Sequence, residues 1–107
     1  MSDESQIVVP PSFIALFVAP GRTRPGESRE HIAARHELCE DLASMLTDTA
    51  RTRLWELGIT EADVLQRIGR GLPGSALGLS AGEQRWVVTR LAELLDWDLP
   101  RFEATRD

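Results

Sequence analysis

His31, His36 and Cys39 are the most reactive side-chain types in the chain, and Glu37, Glu40 and Asp41 stand among them. On a helix, His36, Cys39 and Glu40 share a face at i, i+3 and i+4. That spacing could hold a metal ion or pair a thiol with an imidazole base. Two features count against both chemistries. His31 and His36 are separated by about 140° round a helix, so they do not grip one ion together. Cys39 projects into an apolar arc, where a thiolate has nothing to stabilise it, so it reads as a small core hydrophobe. The sequence offers no second ligand cluster, and no metal is expected.

Gly69-x-Gly71-x-x-Gly74 matches the dinucleotide fingerprint by letter. That motif binds pyrophosphate only after a strand and at a helix N-terminus, where amides and the dipole converge. Here it follows a helical pattern, and Pro73 removes an amide, so a helix stop is the expectation. The chain contains no Lys and no Tyr; all twelve basic residues are Arg. A P-loop lysine, a Schiff base and a tyrosine acid are therefore all excluded. No cofactor and no enzymatic activity are expected.

Recognition is the other chemistry to weigh. Trp86, Arg90, Glu93 and Trp97 form a stripe at helical spacing, with Trp86 and Arg90 placed for a cation–π contact. Trp and Arg are enriched at binding hot spots, although each Trp also fits a core edge. Arg35 falls near the middle of an otherwise apolar arc. Its stem can lie along the core while its head reaches water or a carboxylate, or it can anchor a partner or an anionic ligand. Trp55 lies off the arc of its helix, so exposure of at least one Trp is expected.

These side chains need helices to position them. Ser28 opens a long helix whose Ile32, Leu38, Cys39, Leu42, Ala43, Met45 and Leu46 share an arc of about 160°. It can run to Leu57 and stop at Gly58, or break at Thr47-Asp48-Thr49, residues that favour caps. Thr60 caps a second helix with Val64, Leu65, Ile68 and Leu72 inward, and Ile59 can staple against Val64. Ser80 and Glu83 form a capping box for a third, over 81–96, that buries Val87, Val88, Leu91, Leu94 and Leu95. Asp98-Leu99-Pro100 suggests a last turn that tucks in Phe102. The fold class is all-α: a small antiparallel helical domain of three to four main helices over 27–107, with an apolar N-terminal arm over 1–26.

Within the arm, residues 12–18 are a compact apolar block and 19–26 a Pro/Gly-rich linker. Ser12 is placed to cap a short helix, on which Phe13, Leu16 and Phe17 share a face. The block either folds back onto the domain or docks in a partner's groove.

Net charge is −5, with residues 1–26 neutral and both 27–58 and 59–107 acidic. Nucleic-acid affinity rests on cationic contacts to phosphate, so that partner is not expected. The longest apolar run, Phe13 to Ala19, is far short of the roughly 20 residues that span a bilayer. A single Cys fits a reducing compartment, and a cytoplasmic location is expected.

Pro10-Pro11-Ser12-Phe13-Ile14-Ala15-Leu16, Cys39-Glu40-Asp41-Leu42-Ala43, Leu57-Gly58-Ile59-Thr60-Glu61-Ala62-Asp63-Val64-Leu65 and Arg90-Leu91-Ala92-Glu93-Leu94-Leu95 resemble a group of short proteobacterial proteins labelled "ATPase with chaperone activity". The resemblance spans most of Ile7 to Trp97 and implies a tie to chaperone work, with no residue roles. The chain has no G-x-x-x-x-G-K-[ST], so a partner of a chaperone or ATPase fits better than an ATPase.

The expected function is therefore a non-enzymatic interaction or adaptor protein. Its candidate contacts are Phe13, Leu16, Phe17, Arg35, Trp86, Arg90 and Trp97, toward an unidentified protein or a second copy. The alternative is a DNA-binding regulator using 60–70 and 81–96 as a helix-turn-helix, against which stands the nine-residue linker Gly71 to Leu79.

Overall fold

Prolines set the first turn. Pro10 holds extended backbone, and Pro11 takes the first helical position, where a missing N–H costs nothing. The computed structural model describes residues 8–75 and 77–99, and among them it has four α-helices and no strand. The first is the single turn α1 (Pro11–Ile14), continued by a 3-10 turn over Ala15–Phe17. Its N-cap is Pro10, not Ser12 as the sequence implies. The Ser12 hydroxyl instead accepts a hydrogen bond from Trp86 Nε1 at 3.1 Å. Residues 19–28 then cross the surface.

Helix α2 (Arg29–Leu57) starts where Ser28 Oγ accepts from the His31 amide at 3.0 Å. It runs unbroken through Thr47-Asp48-Thr49. Thr47 donates its hydroxyl to the Ser44 carbonyl at 2.7 Å, so it competes for no backbone group in another conformation. Gly58 ends the helix at φ 64°, a left-handed position that suits glycine. Helix α3 (Glu61–Gly71) is capped by Thr60 and passes into a 3-10 turn at Leu72–Gly74. Helix α4 (Ala81–Leu95) opens on the complete Ser80–Glu83 capping box and ends at Asp96, also left-handed. The predicted turn that tucks in Phe102 falls outside the described residues.

All of Val64, Leu65, Ile68 and Leu72 are buried, as their spacing predicts, and so are Val87, Val88, Leu91 and Leu95. Leu94 is only half-buried, and Ala92 takes an inward place instead. Cys39 is fully buried in the same core. On α2 the inward face is Ile32, His36, Cys39, Leu42, Ala43 and Ala50, while Met45 is 68% exposed. Relative to the predicted arc, the buried strip is turned by about 50°, enough to admit His36 and expel Met45.

Arg35 reaches Glu83 and Glu40 reaches Arg90, so α2 and α4 lie side by side and advance in the same direction. Between them, α3 and the loop after it must bring the chain back roughly 33 Å, the rise from Arg35 to Leu57. Consecutive main helices thus alternate in direction. The pairing also fixes an overhang. Leu95 lies about level with Leu46, so α2 continues for roughly 16 Å beyond the last turn of α4. No helix among the described residues is long and apolar enough to cross a membrane.

Candidate functional site

The arm has a built seat. Phe13 is fully buried between α2 and α4, with its ring 5.3 Å from that of His36 and 5.1 Å from that of Trp86, both edge-on. His36 and Trp86 close the triangle at 5.4 Å, while Phe17 packs on Phe13 and His31 at 5.5 and 6.0 Å. Edge-to-face contacts of this kind add about 0.5–1.5 kcal/mol each to the burial itself. Leu16 sits at the rim, 37% exposed, over Gly82. A Cβ at Gly82 would come within 3.0 Å of Leu16 Cδ2, so this early glycine of α4 is a fitted part of the seat.

Phe13 is therefore not available to a partner in this arrangement, because it fills the core. The arm's other two candidates, Leu16 and Phe17, face a seat within the chain. Of the two readings left open for residues 12–18, the structure adopts folding back.

Arg35 and Arg90 are each consumed by a carboxylate. Arg35 makes a two-pronged pair with Glu83, Nε to Oε2 at 2.8 Å and Nη2 to Oε1 at 2.7 Å, and donates to the Gly78 carbonyl at 3.2 Å. Glu83 is only 3% exposed, and its Oε1 also accepts from the Ser80 amide at 2.9 Å. One carboxylate thus caps α4 and neutralises the cation on α2. The Arg35 hydrogen bonds hold the Glu83 carboxyl below its usual range, against the opposing effect of burial. The same bonds raise the Arg35 guanidinium pKa.

Arg90 donates to both Glu40 oxygens, with Nε at 2.9 and 3.2 Å and Nη2 at 3.1 Å, and its Nη1 reaches Glu93 at 3.1 Å. Those bonds, Glu40 first, raise its pKa. The expected Trp86–Arg90 cation–π contact does not form: the guanidinium is drawn to carboxylates, and the indole turns to Phe13, His36 and Ser12. Trp97 is half-buried against the core, so the Trp86–Trp97 stripe is not one open surface.

Beside the seat lies an open groove of about 650 Å³, lined by Pro10, His36, Glu40, Trp86 and Arg90 among others. His36, 6% exposed, has a buried Nδ1 that accepts and donates no hydrogen bond. The arginine that could bind an anion there is already doubly paired. Burial pushes the Cys39 thiol up to about 11, the wrong direction for a nucleophile. Among the described residues, no group of three or more His, Cys, Asp or Glu is arranged to hold a metal.

Val8, at the groove's edge, is 84% exposed, but the open large apolar positions within the α-helices lie elsewhere. Trp55 is 87% exposed, Met45 68% and Leu57 51%, all on α2, and no residue from Arg51 to Leu57 is buried. Leu54, on the inward side of these turns, still packs half-buried against the core, whereas Trp55 stands about 150° round the helix from the buried strip and points to solvent. Met45 lies on the apolar arc by its spacing but is left open because the buried strip is turned away from it. The spacing places Trp55 off that arc, and of the three tryptophans it is the exposed one. Comparison with known proteins finds no matching family, no matching curated protein and no matching solved structure.

Proposed function

We propose that the protein is a non-enzymatic interaction module whose contact face is the outward side of α2 around Trp55. The observation that carries this reading is the exposure of Trp55. Tryptophan is highly buried on average, and it is the residue type most enriched at interface hot spots. The charged groups that might have done chemistry support the reading from the other side, since Arg35 and Arg90 are held in ion pairs. Phe13 and Trp86, the other strong anchors, are spent on the arm.

The helix-turn-helix alternative draws no comparable support. The outward positions of α4 and its C-cap include Arg85 but also Glu93 and Asp96, a poor complement to phosphate.

A photo-crosslinking amino acid at position 55 of the full chain, used in cells, tests the proposal. Discrete adducts are expected from position 55 and not from position 22 in the surface linker. Equal labelling at the two positions, or none at 55, would remove the contact face. The adduct also identifies the partner: a chaperone or ATPase, as the resemblance implies, or a second copy.

A further inference from the structure

The arm, α2 and α4 converge on the open groove beside the seat, and its volume of about 650 Å³ lies within the range of small-molecule sites. We propose that this groove binds a small organic amine: a flat apolar ring joined by a short chain to an ammonium group.

His36 marks the groove as more than a gap in packing. It lines the groove at 6% exposure, and its Nδ1 is sealed without a hydrogen-bond partner. A phenyl ring would fill the same place without the desolvation cost that an unpaired buried polar atom carries. The imidazole stands 5.4 Å from the Trp86 indole at 77°, so the two rings make a corner. Pro10 and the exposed Val8 wall that corner on the arm's side. A flat apolar body fits there, meeting the imidazole by the edge away from Nδ1.

One turn further along both helices the lining becomes ionic. Glu40 follows His36 by four residues, and Arg90 follows Trp86 by four. With Glu93, the described lining holds two carboxylates against one guanidinium, a surplus of one negative charge. Arg90 is spent on both carboxylates, so an anion finds no free cation there. Glu93 accepts from Arg90 at Oε1, 3.1 Å away, while its Oε2 has no partner among the described residues and its side chain is 61% exposed. An ammonium brings three donors and no acceptor, which suits open carboxylate lone pairs. It also cancels the surplus charge. A two-carbon chain sets the ammonium about 5 Å from the ring, the length of one helical turn.

The test is a titration of the isotope-labelled full chain, followed by amide and indole N–H resonances. Three probes share a ring and differ in charge: 2-phenylethylamine, 2-phenylethanol and phenylacetate. Saturable shifts are expected at the Trp86 indole and the Thr89 and Glu93 amides, with the Trp55 indole unmoved as the internal control. Nine heavy atoms in an open groove bind weakly, so the amine should saturate with a Kd of about 1 mM. The alcohol should bind at least about threefold more weakly, and the carboxylate more weakly still. Raising salt to about 0.5 M should shrink the preference. Glu93→Gln, at a position outside the core, should erase the difference between amine and alcohol and leave binding of the alcohol unchanged. No saturable shift at the groove with about 10 mM amine overturns the proposal, since that is well above the expected Kd. So does equal binding of amine and alcohol, or a preference that survives in Glu93→Gln.

Discussion

Between Ile32 and Ala43, α2 lies against both the arm and α4, and its inward-turned charges are matched: Arg35 by Glu83, Glu40 by Arg90. Between Arg51 and Leu57 the same helix has outrun α4, and nothing is buried. The two stretches are not distinguished by apolar content, since the second contains Leu54, Trp55 and Leu57. They differ in what lies alongside. A hydrophobic side chain becomes core only where it faces a second element: Leu54 turns inward and is half-buried against the core, while Trp55 stands about 150° from the buried strip. The covered half is where substitutions should damage the fold. The overhanging half is where they should leave the fold intact and alter only what binds.

The largest expected effect is at the arm's anchor. Phe13→Ala should cost about 3–5 kcal/mol of unfolding free energy, as for other fully buried Phe. Urea denaturation followed by circular dichroism reads it directly. A wild-type midpoint would mean that the arm is not part of the core, and the contrast between the two halves of α2 would lose its cause.

A smaller effect tests the braces. Glu83→Gln can still accept from the Ser80 amide, since Gln also serves in a capping box. It therefore removes the charge on Arg35's partner while sparing the cap. The loss at neutral pH should be about 1.5–3 kcal/mol, the worth of a hydrogen bond to a charged group. Its pH dependence has a definite sign. The folded-state pKa of Glu83 lies below the ordinary 4.5. The carboxylate's contribution is therefore complete above that value and is lost as pH falls through the lowered folded value. The gap between wild type and variant should be constant above roughly pH 5.5 and close progressively in acid below 4.5. A gap that persists unchanged into strong acid would assign the cost to packing and not to the ion pair.

How much of this was legible in the sequence follows the same division. Local features were readable: Ser28, Thr60 and Ser80 cap as their positions indicate, Gly58 stops α2, and the inward face of α3 is fully as its spacing predicts. What could not be read was anything set by which elements meet. Periodicity gives the middle of the apolar residues on α2. The buried strip, however, is decided by the arm and α4 together, and these turn it far enough to bury His36. Ser12 has the composition of a cap and serves as an acceptor for an indole that lies 74 residues away in sequence. Arg35 was recognisably out of place, but its partner lies 48 residues on, and only the parallel pairing of α2 with α4 brings Glu83 opposite it. The candidate site suffers most, because the strongest recognition residues by type, Phe13, Trp86, Arg35 and Arg90, are used internally, and only the meeting of the arm, α2 and α4 decides that.

The smallest expected effect is therefore the most discriminating. Trp55→Ala removes the largest exposed apolar side chain in the described structure, and in dilute solution it should change unfolding free energy by no more than about 0.5 kcal/mol, as for other surface substitutions without buried contacts. Urea denaturation of both chains in dilute solution makes the comparison. A cost above about 1 kcal/mol in dilute solution would show that Trp55 supports the fold after all, a size that needs a buried contact. Both halves of α2 would then be structural, and the contact face would have to be sought beside the arm.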